Sequence, residues 1–491
     1  MAKLRVLVEI VPTVEQAALA MASSASIRPA SSADLFALAE AMMAGLPGTG
    51  IEVTDAFGPI PLAAADASLE AASGEPALAS ASSTSSRRRR GGPKAASPPL
   101  TNVASVVLPC EVTTAGLHEL ESRSDVVVWP DSRLSLTQGS APDEGLVGLL
   151  DLATSAGGTD CRPFRPGVSV EAIRTLLGVE ALWRDGFRGQ NVIVGILDEG
   201  VSNLYPVVGG HQTTTERRWG LAAITSHGSM CAADILVAAP AARLYDYPFL
   251  GQPSSGGAIA MFQAVLDQHR RDGTPHLTNN SYGFVSVPPR ETMPNHEIWN
   301  LNHPVHRKAR EVVAAGIPCF FAAGNCGENC PSGACHPSGI GPGLSIHASN
   351  SLAEVITVAA VNSRHERVGY SSQGPGMFER AKPDVAAYTH LFGNFGPGRP
   401  GGLAQPYDNG TSAATPVACG VGAALLSAFA DLSPAALKAA LMQSALDIGQ
   451  PGRDFLTGSG VVNAAAAYQL LRGEGRMPGR VRPRLPDDRV A

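Results

Sequence analysis

The stretch NVIVGILDEG, residues 191–200, decides how this chain is read. Its first seven residues form a nearly continuous apolar run, the pattern of a strand covered on both faces of a parallel sheet. The run stops at Asp198-Glu199-Gly200. A carboxylate there lies at the carboxyl end of a parallel strand, where open α/β sheets place their ligands. A strand-terminal Asp more often caps a helix or braces a turn, so Asp198 needs chemical partners elsewhere in the chain.

Working outward, further apolar runs occur at Arg243–Tyr247, Leu277–Asn280, Pro318–Ala322 and Val355–Val361, alternating with helical patterns at Glu171–Arg184 and Ala258–Arg271. This alternation predicts an α/β unit with a mainly parallel sheet over residues 167–471. Asn409–Ala430 is uncharged and long enough to suggest a membrane span, but Thr411, Ser412, Thr415 and Pro416 fill its first third. A buried helix fits it better.

Upstream, residues 3–11 read as a strand, Ser32 caps a helix through Met43, and two short strands follow around 51–62. Val103–Leu108, Thr113–Arg123 and Asp125–Trp129 then read as strand, helix and strand. With the two short strands around 51–62 counted as one, the β-α-β-β-α-β order predicts a small α+β ferredoxin-like domain over residues 1–137. It is interrupted at 63–99 by an Ala-, Ser-, Gly- and Pro-rich insertion expected to be disordered. Arg87–Arg90 within it reads as a solvated charge run rather than a processing site or docking patch. Residues 138–166 are expected to be a linker, and 472–491, rich in Arg, Pro and Gly, a disordered tail.

The 491 residues, 44% of them hydrophobic, allow a large core and more than one unit. A net charge of -6 gives no reason to expect nucleic acid as a partner. Glu9 and Glu15 interrupt the apolar run that a secretory signal requires, so the expected localisation is cytoplasmic and the eight cysteines are expected to be reduced thiols.

Three further segments carry chemistry. Ser226-His227-Gly228-Ser229 opens a helical stretch, and a histidine there is commonly structural unless a carboxylate fixes its tautomer. Asn409-Gly410-Thr411-Ser412-Ala413-Ala414-Thr415-Pro416 opens the uncharged helix, whose N-terminus offers unpaired amides and a positive dipole end near Ser412. Taken alone, that serine reads equally well as an N-cap. Between them lies Phe321-Ala322-Ala323-Gly324-Asn325.

The four motifs GILDEG, SHGS, FAAGN and NGTSAATP, in the order Asp, His, Asn, Ser, resemble those of the subtilisin-like serine proteases over residues 168–471. The resemblance implies a three-layer subtilisin-like fold, a peptide or protein substrate, and a triad of Asp198, His227 and Ser412 with Asn325 as oxyanion donor. It further implies that Ser281, Tyr282 and Gly283 pair with the substrate as an added strand, and that Ala322, Ala323 and Gly324 wall the specificity pocket. No cofactor is needed for the chemistry and no membrane is involved. Many members bind structural calcium, for which no motif here assigns ligands. Residues 103–136, VASVVLPCEVTTAGLHELESRSDVVVWPDSRLSL, resemble an inhibitor-type prodomain. They imply an intramolecular inhibitor that caps the cleft until it is cut between Ser132 and Pro166.

The chain departs from the family at several positions. Glu199 stands where Ser or Thr is usual, Ser229-Met230 replaces Thr-His, and Tyr282 replaces a Leu and is expected to narrow the cleft. Cys326, Cys330, Cys335 and His336 form an insertion beside Asn325 whose spacing fits no zinc pattern, so free or paired thiols bracing a Gly-rich loop are the favoured reading over metal. An α/β-hydrolase is disfavoured, because Gly410-Thr411-Ser412-Ala413-Ala414 lacks the second glycine of a nucleophile elbow and the chain order differs. A catalytically silent protein of the same fold is disfavoured by the intact set of four catalytic positions.

Overall fold

Contacts divide the chain into two units, Met1–Trp129 and Pro130–Ala491. A computed structural model describes residues 3–11, 50–54, 57–63, 103–136, 161, 168–211, 218–249, 253–392 and 408–479. The expected helix 32–43, most of the insertion 63–99 with Arg87–Arg90, and nearly all of the linker 138–166 lie outside the described residues.

The first unit contains β1 (Leu4–Ile10), β2 (Ile51–Val53), β3 (Ile60–Ala63), β4 (Val103–Val112), α1 (Thr114–Glu121) and β5 (Val126–Pro130). The sheet order is β2-β4-β1-β5, with β3 also on β4, and β1 runs antiparallel to β4. Alternate residues Val6, Val8 and Ile10 meet Val106, Leu108, Cys110 and Val112, and Leu120 from α1 closes over them. Thr113 caps α1 by accepting from the Gly116 amide at 3.2 Å. The five strands fall where the sequence places them.

In the second unit the elements are β6 (Ser135–Leu136), β7 (Val168–Ser169), α2 (Val170–Leu177), α3 (Glu180–Arg184), β8 (Ile193–Asp198), β9 (Val207–Gly210), α4 (His227–Ala238), β10 (Arg243–Pro248), α5 (Ser255–Asp272), β11 (Leu277–Asn280) and β12 (Tyr282–Gly283). They continue with α6 (Pro304–Ala314), β13 (Cys319–Ala322), β14 (Ile356–Val361), β15 (Val385–Tyr388), β16 (Leu391–Phe392), α7 (Thr411–Ala428), α8 (Pro434–Gln443) and α9 (Ala464–Gly473). Seven strands form one parallel sheet in the order β15-β14-β13-β11-β8-β10-β9. Val194, Ile196 and Leu197 of β8 are fully buried, as a strand with both faces covered requires. The chain winds away from β8 in both directions, so the carboxyl end of β8 is the topological switch point.

Among the described residues α7 is the one helix long and apolar enough to cross a membrane, but here it is a core helix. Glycines set how closely it packs. A Cβ at Gly420 would lie 2.3 Å from the Ile235 carbonyl oxygen of α4, and one at Gly422 would lie 2.9 Å from the Phe320 ring. Close packing at these two points brings the N-termini of α4 and α7 to the same end of the sheet.

Three expectations need correction. The helix expected over Glu171–Arg184 is two helices, because Gly178 takes φ +70 and ends α2. Residues 472–479 are not a loose tail: α9 runs through Gly473, and the Gly479 amide donates to the Ala428 carbonyl at 2.7 Å. Four of the eight cysteines are not thiols, since Cys161 is bonded to Cys330 and Cys326 to Cys335. No thiolates remain at Cys326, Cys330 and Cys335 to bind zinc. Cys110, Cys231, Cys319 and Cys419 are buried and free.

A buried ion cluster joins the far strands. The Asp384 carboxylate accepts from Lys382 Nζ at 2.6 Å and the Thr357 amide at 2.8 Å, and pairs with Lys438 at 2.9 Å. Burial lowers the Lys382 pKa to about 7 against the pull of that carboxylate. Asp384→Ala leaves the Lys382 ammonium buried and unpaired, and is expected to cost about 3–5 kcal/mol in denaturant unfolding. Peptide mapping without reductant is expected to return the Cys161–Cys330 and Cys326–Cys335 cross-links. Recovery of alkylated Cys330 would contradict the pairing.

Candidate active site

β8 ends on Asp198, and α4 begins at His227. They meet because residue 228 is glycine: a Cβ there would fall 2.4 Å from the Gly200 carbonyl oxygen. Ser226 caps α4 by accepting from the Ser229 amide at 3.1 Å. His227 Nδ1 lies 2.8 Å and 2.9 Å from the two Asp198 oxygens, with both side chains buried. This bond places the ring proton on Nδ1 and leaves Nε2 as the basic nitrogen. Nε2 has no hydrogen bond among the described residues.

Two more groups act on the same imidazole. The backbone amide of His227 donates to Glu199 Oε1 at 2.5 Å, which sets a carboxylate at the N-terminus of α4. Burial opposes the imidazolium, but the charge and hydrogen bond of Asp198, reinforced by Glu199, outweigh it and raise the pKa above the ordinary 6.5. Cys231, one turn along α4, places Sγ 3.8 Å from Asp198 Oδ2. Burial and the Asp198 charge push this thiol well above its usual range. Asp198, His227 and Cys231 are the one group of three metal-capable side chains among the described residues. The hydrogen bond to Asp198 already uses the Nδ1 that would face an ion.

Ser412 is the second residue of α7. Gly410, at φ 86, turns the chain into the helix. Pro416 has no N–H, so the Ser412 carbonyl lacks the donor it would have in an unbroken helix. Ser281 Oγ, at 3.3 Å, and Cys231 Sγ, at 3.5 Å, donate to it instead. The Ser412 hydroxyl in turn donates to the Ser281 carbonyl at 3.4 Å. The proline of the NGTSAATP motif thus links the serine to the strand that carries Ser281.

Asn325 lies three residues beyond the end of β13. Its Oδ1 accepts from both the Thr411 amide and the Thr411 hydroxyl, each at 2.9 Å, which holds the carboxamide with Nδ2 as its donating end. Behind it the disulfide-laced loop is fastened to the Asn325 carbonyl by the Ser332 amide at 2.8 Å. Gly324 takes φ +106, and a Cβ there would lie 2.8 Å from Ser372 Oγ.

Ser281, Tyr282 and Gly283 run beside Ala322, Ala323 and Gly324. Asn350, which the sequence did not single out, ties the two strands together: its Nδ2 donates to the carbonyls of Tyr282 and Ala322, both at 2.8 Å. The Tyr282 ring does not narrow a cleft. It is buried edge-on against Phe249, with centroids 4.9 Å apart, and its hydroxyl donates to Asn280 at 3.2 Å. β6 pairs antiparallel with β12, Leu136 opposite Tyr282 and Ser135 opposite Gly283. On the other side of the same segment, the Leu134 amide donates to the Pro253 carbonyl at 2.8 Å and the Ser255 amide to the Ser132 carbonyl at 3.0 Å.

Comparison with known proteins agrees with this architecture. The Subtilase family model matches residues 189–460. Subtilisin DY of Bacillus licheniformis is 25% identical over 311 residues, 60% of this chain and 97% of that protein. Subtilisin E of Bacillus subtilis is 26% identical over 306 residues, 59% of this chain and 68% of that one. The solved structure of fervidolysin from Fervidobacterium pennivorans, a keratinolytic enzyme related to subtilisin, superposes with a TM-score of 0.50 at 20% identity. That likeness covers 75% of this chain and 56% of fervidolysin, and speaks for the fold alone. A family match across more than half of the 491 residues, with the relatedness to subtilisins, makes this chain a member of the subtilase family and a serine-type endopeptidase.

Proposed function

We propose that the chain hydrolyses peptide bonds through an acyl-enzyme on Ser412, with His227 as the proton carrier and Asp198 as its orienting partner. The observation that carries the reading is the buried Asp198–His227 pair, at 2.8 Å through Nδ1, which presents Nε2 as a base. Ser412 Oγ would attack the carbonyl carbon as its proton passes to Nε2. The tetrahedral intermediate would then collapse by expelling the amine, which takes that proton. Water would repeat the sequence in reverse to free the acid and restore the serine. The Nε2–Oγ hydrogen bond is not made in this geometry, a common state of such contacts before substrate tightens them.

Negative charge on the carbonyl oxygen would be met by Asn325 Nδ2 and the Ser412 amide at the N-terminus of α7. Substrate would lie along β12 as an added strand, in the manner of β6, with Ala322, Ala323 and Gly324 beside the residue at the cut. The pairing of Ser135 and Leu136 with β12, where substrate would lie, supports reading the N-terminal part of the chain as an intramolecular inhibitor. The chemistry needs no cofactor.

A fluorophosphonate probe is expected to label the wild type and not Ser412→Ala. Labelling that persists in the variant sinks the nucleophile assignment, and none in the mature wild type favours a silent relative. Removing the equivalent donor from subtilisin itself lowers kcat by about 10²–10³, and Asn325→Ala is expected to do the same with little change in KM. Because the base must be neutral, kcat/KM is expected to fall as pH drops through a pKa above 6.5. Glu199→Gln removes a negative charge beside the imidazole, so that acidic limb is expected to move to lower pH. A limb that stays in place rules out an electrostatic effect of Glu199.

A further inference from the structure

We propose that Glu297, with Ser255, His296 and His303, forms a binding site for one hydroxyl-bearing residue, serine or threonine, of an extended peptide, well upstream of the bond to be cut. The orientation of that peptide rests on the proteolytic reading above. The contacts themselves do not.

Glu297 lies between β12 and α6 and is fully buried. Its carboxylate accepts from the Ser132 amide at 3.0 Å, the Ser132 hydroxyl at 2.8 Å and the Ser255 hydroxyl at 2.6 Å. His296 Nδ1 accepts from the Ile298 amide at 3.2 Å, which leaves the proton on Nε2. That Nε2 then donates to Ser132 Oγ at 3.1 Å. His303 repeats the arrangement: Nδ1 accepts from the Val305 amide at 3.3 Å, and Nε2 donates to the Pro130 carbonyl at 3.1 Å. At the N-terminus of α5 the Gly256 amide donates to Asp131 Oδ1 at 2.9 Å.

The hydroxyl of Ser132 is therefore read in both directions, as acceptor from an imidazole N–H and donor to a carboxylate. Alanine does neither, and a lysine ammonium has no lone pair for the imidazole to donate to. Either residue would leave a buried polar group unsatisfied. Burial keeps His296 below its ordinary value, in accord with the neutral ring that its two hydrogen bonds require.

The backbone register places the site. Ser135 faces Gly283 and Leu136 faces Tyr282. The next residue of any chain in this register falls opposite Ser281, whose carbonyl holds the Ser412 hydroxyl. The bond after that residue is the one presented to Ser412, and Ser132 is the sixth residue before it. Ser132 is thus the first occupant, and a substrate residue takes its place once the segment leaves.

Two measurements test the site. In the full chain carrying Ser412→Ala, amide exchange across residues 130–136 is followed by mass spectrometry. Ser132→Ala is expected to speed it about 10- to 100-fold, and Ser132→Thr to hold it near the parent rate. Separately, the mature enzyme is given quenched peptides of residues 131–138 with Ser, Thr or Ala in the Ser132 position. The Ala peptide is expected to lose at least about tenfold in kcat/KM, with Thr retained. Unchanged exchange together with equal cleavage of the Ser and Ala peptides overturns the site while leaving hydrolysis standing. A difference in exchange with no peptide cut supports the site and refutes the proteolytic reading. Glu297→Gln, if it folds, is expected to erase the Ser-over-Ala preference.

Discussion

A carboxylate with no access to water has to be compensated where it stands, and Asp198 at the end of β8 is such a group. Much of the larger unit serves that need. The sheet buries β8 on both faces, the absence of a side chain at Gly228 lets α4 approach, and His227 supplies the proton that meets the carboxylate. Close packing through Gly420 then aligns α7 with α4 and brings Ser412 to the same end of the sheet. The site is a consequence of covering a charged strand end.

Much of this was legible in the sequence because it is local. The run Asn191–Leu197 is a strand by its apolarity, Gly410 and Pro416 mark a helix entry, and the four motifs stand in one order along the chain. Five of the seven parallel strands fall within two residues of their expected places because they are short apolar runs bounded by turns, whereas β9 and β15 were not among the expected runs. Errors came where a single residue overrode composition, as at Gly178, which ends a helix that the surrounding pattern would continue. They also came where a backbone contact fixed an Arg- and Gly-rich segment, as at Gly479.

What the sequence hid is tertiary. Asn350 is an unremarkable asparagine until its amide is seen bridging Tyr282 and Ala322. Glu297 and His296 lie in a polar stretch whose composition reads as surface, yet they surround a serine 165 residues upstream. Cys231 looks like a helix filler and lies against the Asp198–His227 pair. Tyr282 carries a bulky ring that the sequence leads one to expect at a cleft, and only the packing partners Phe249 and Phe321 reveal that it is buried between them. Cysteine pairing likewise cannot be read from spacing when one partner lies 169 residues away.

That long-range bridge sets the covalent connectivity of the chain on either side of residue 161. Cys161 is joined to the loop beside Asn325 through Cys330. A break on the N-terminal side of residue 161 leaves the upstream fragment with no covalent link to the rest of the chain. A nick a few residues later yields a two-chain molecule, riveted by sulfur, that separates only under reducing conditions. The bridge therefore makes the exact position of a backbone break the difference between a fragment with no covalent tie and one that stays attached through sulfur.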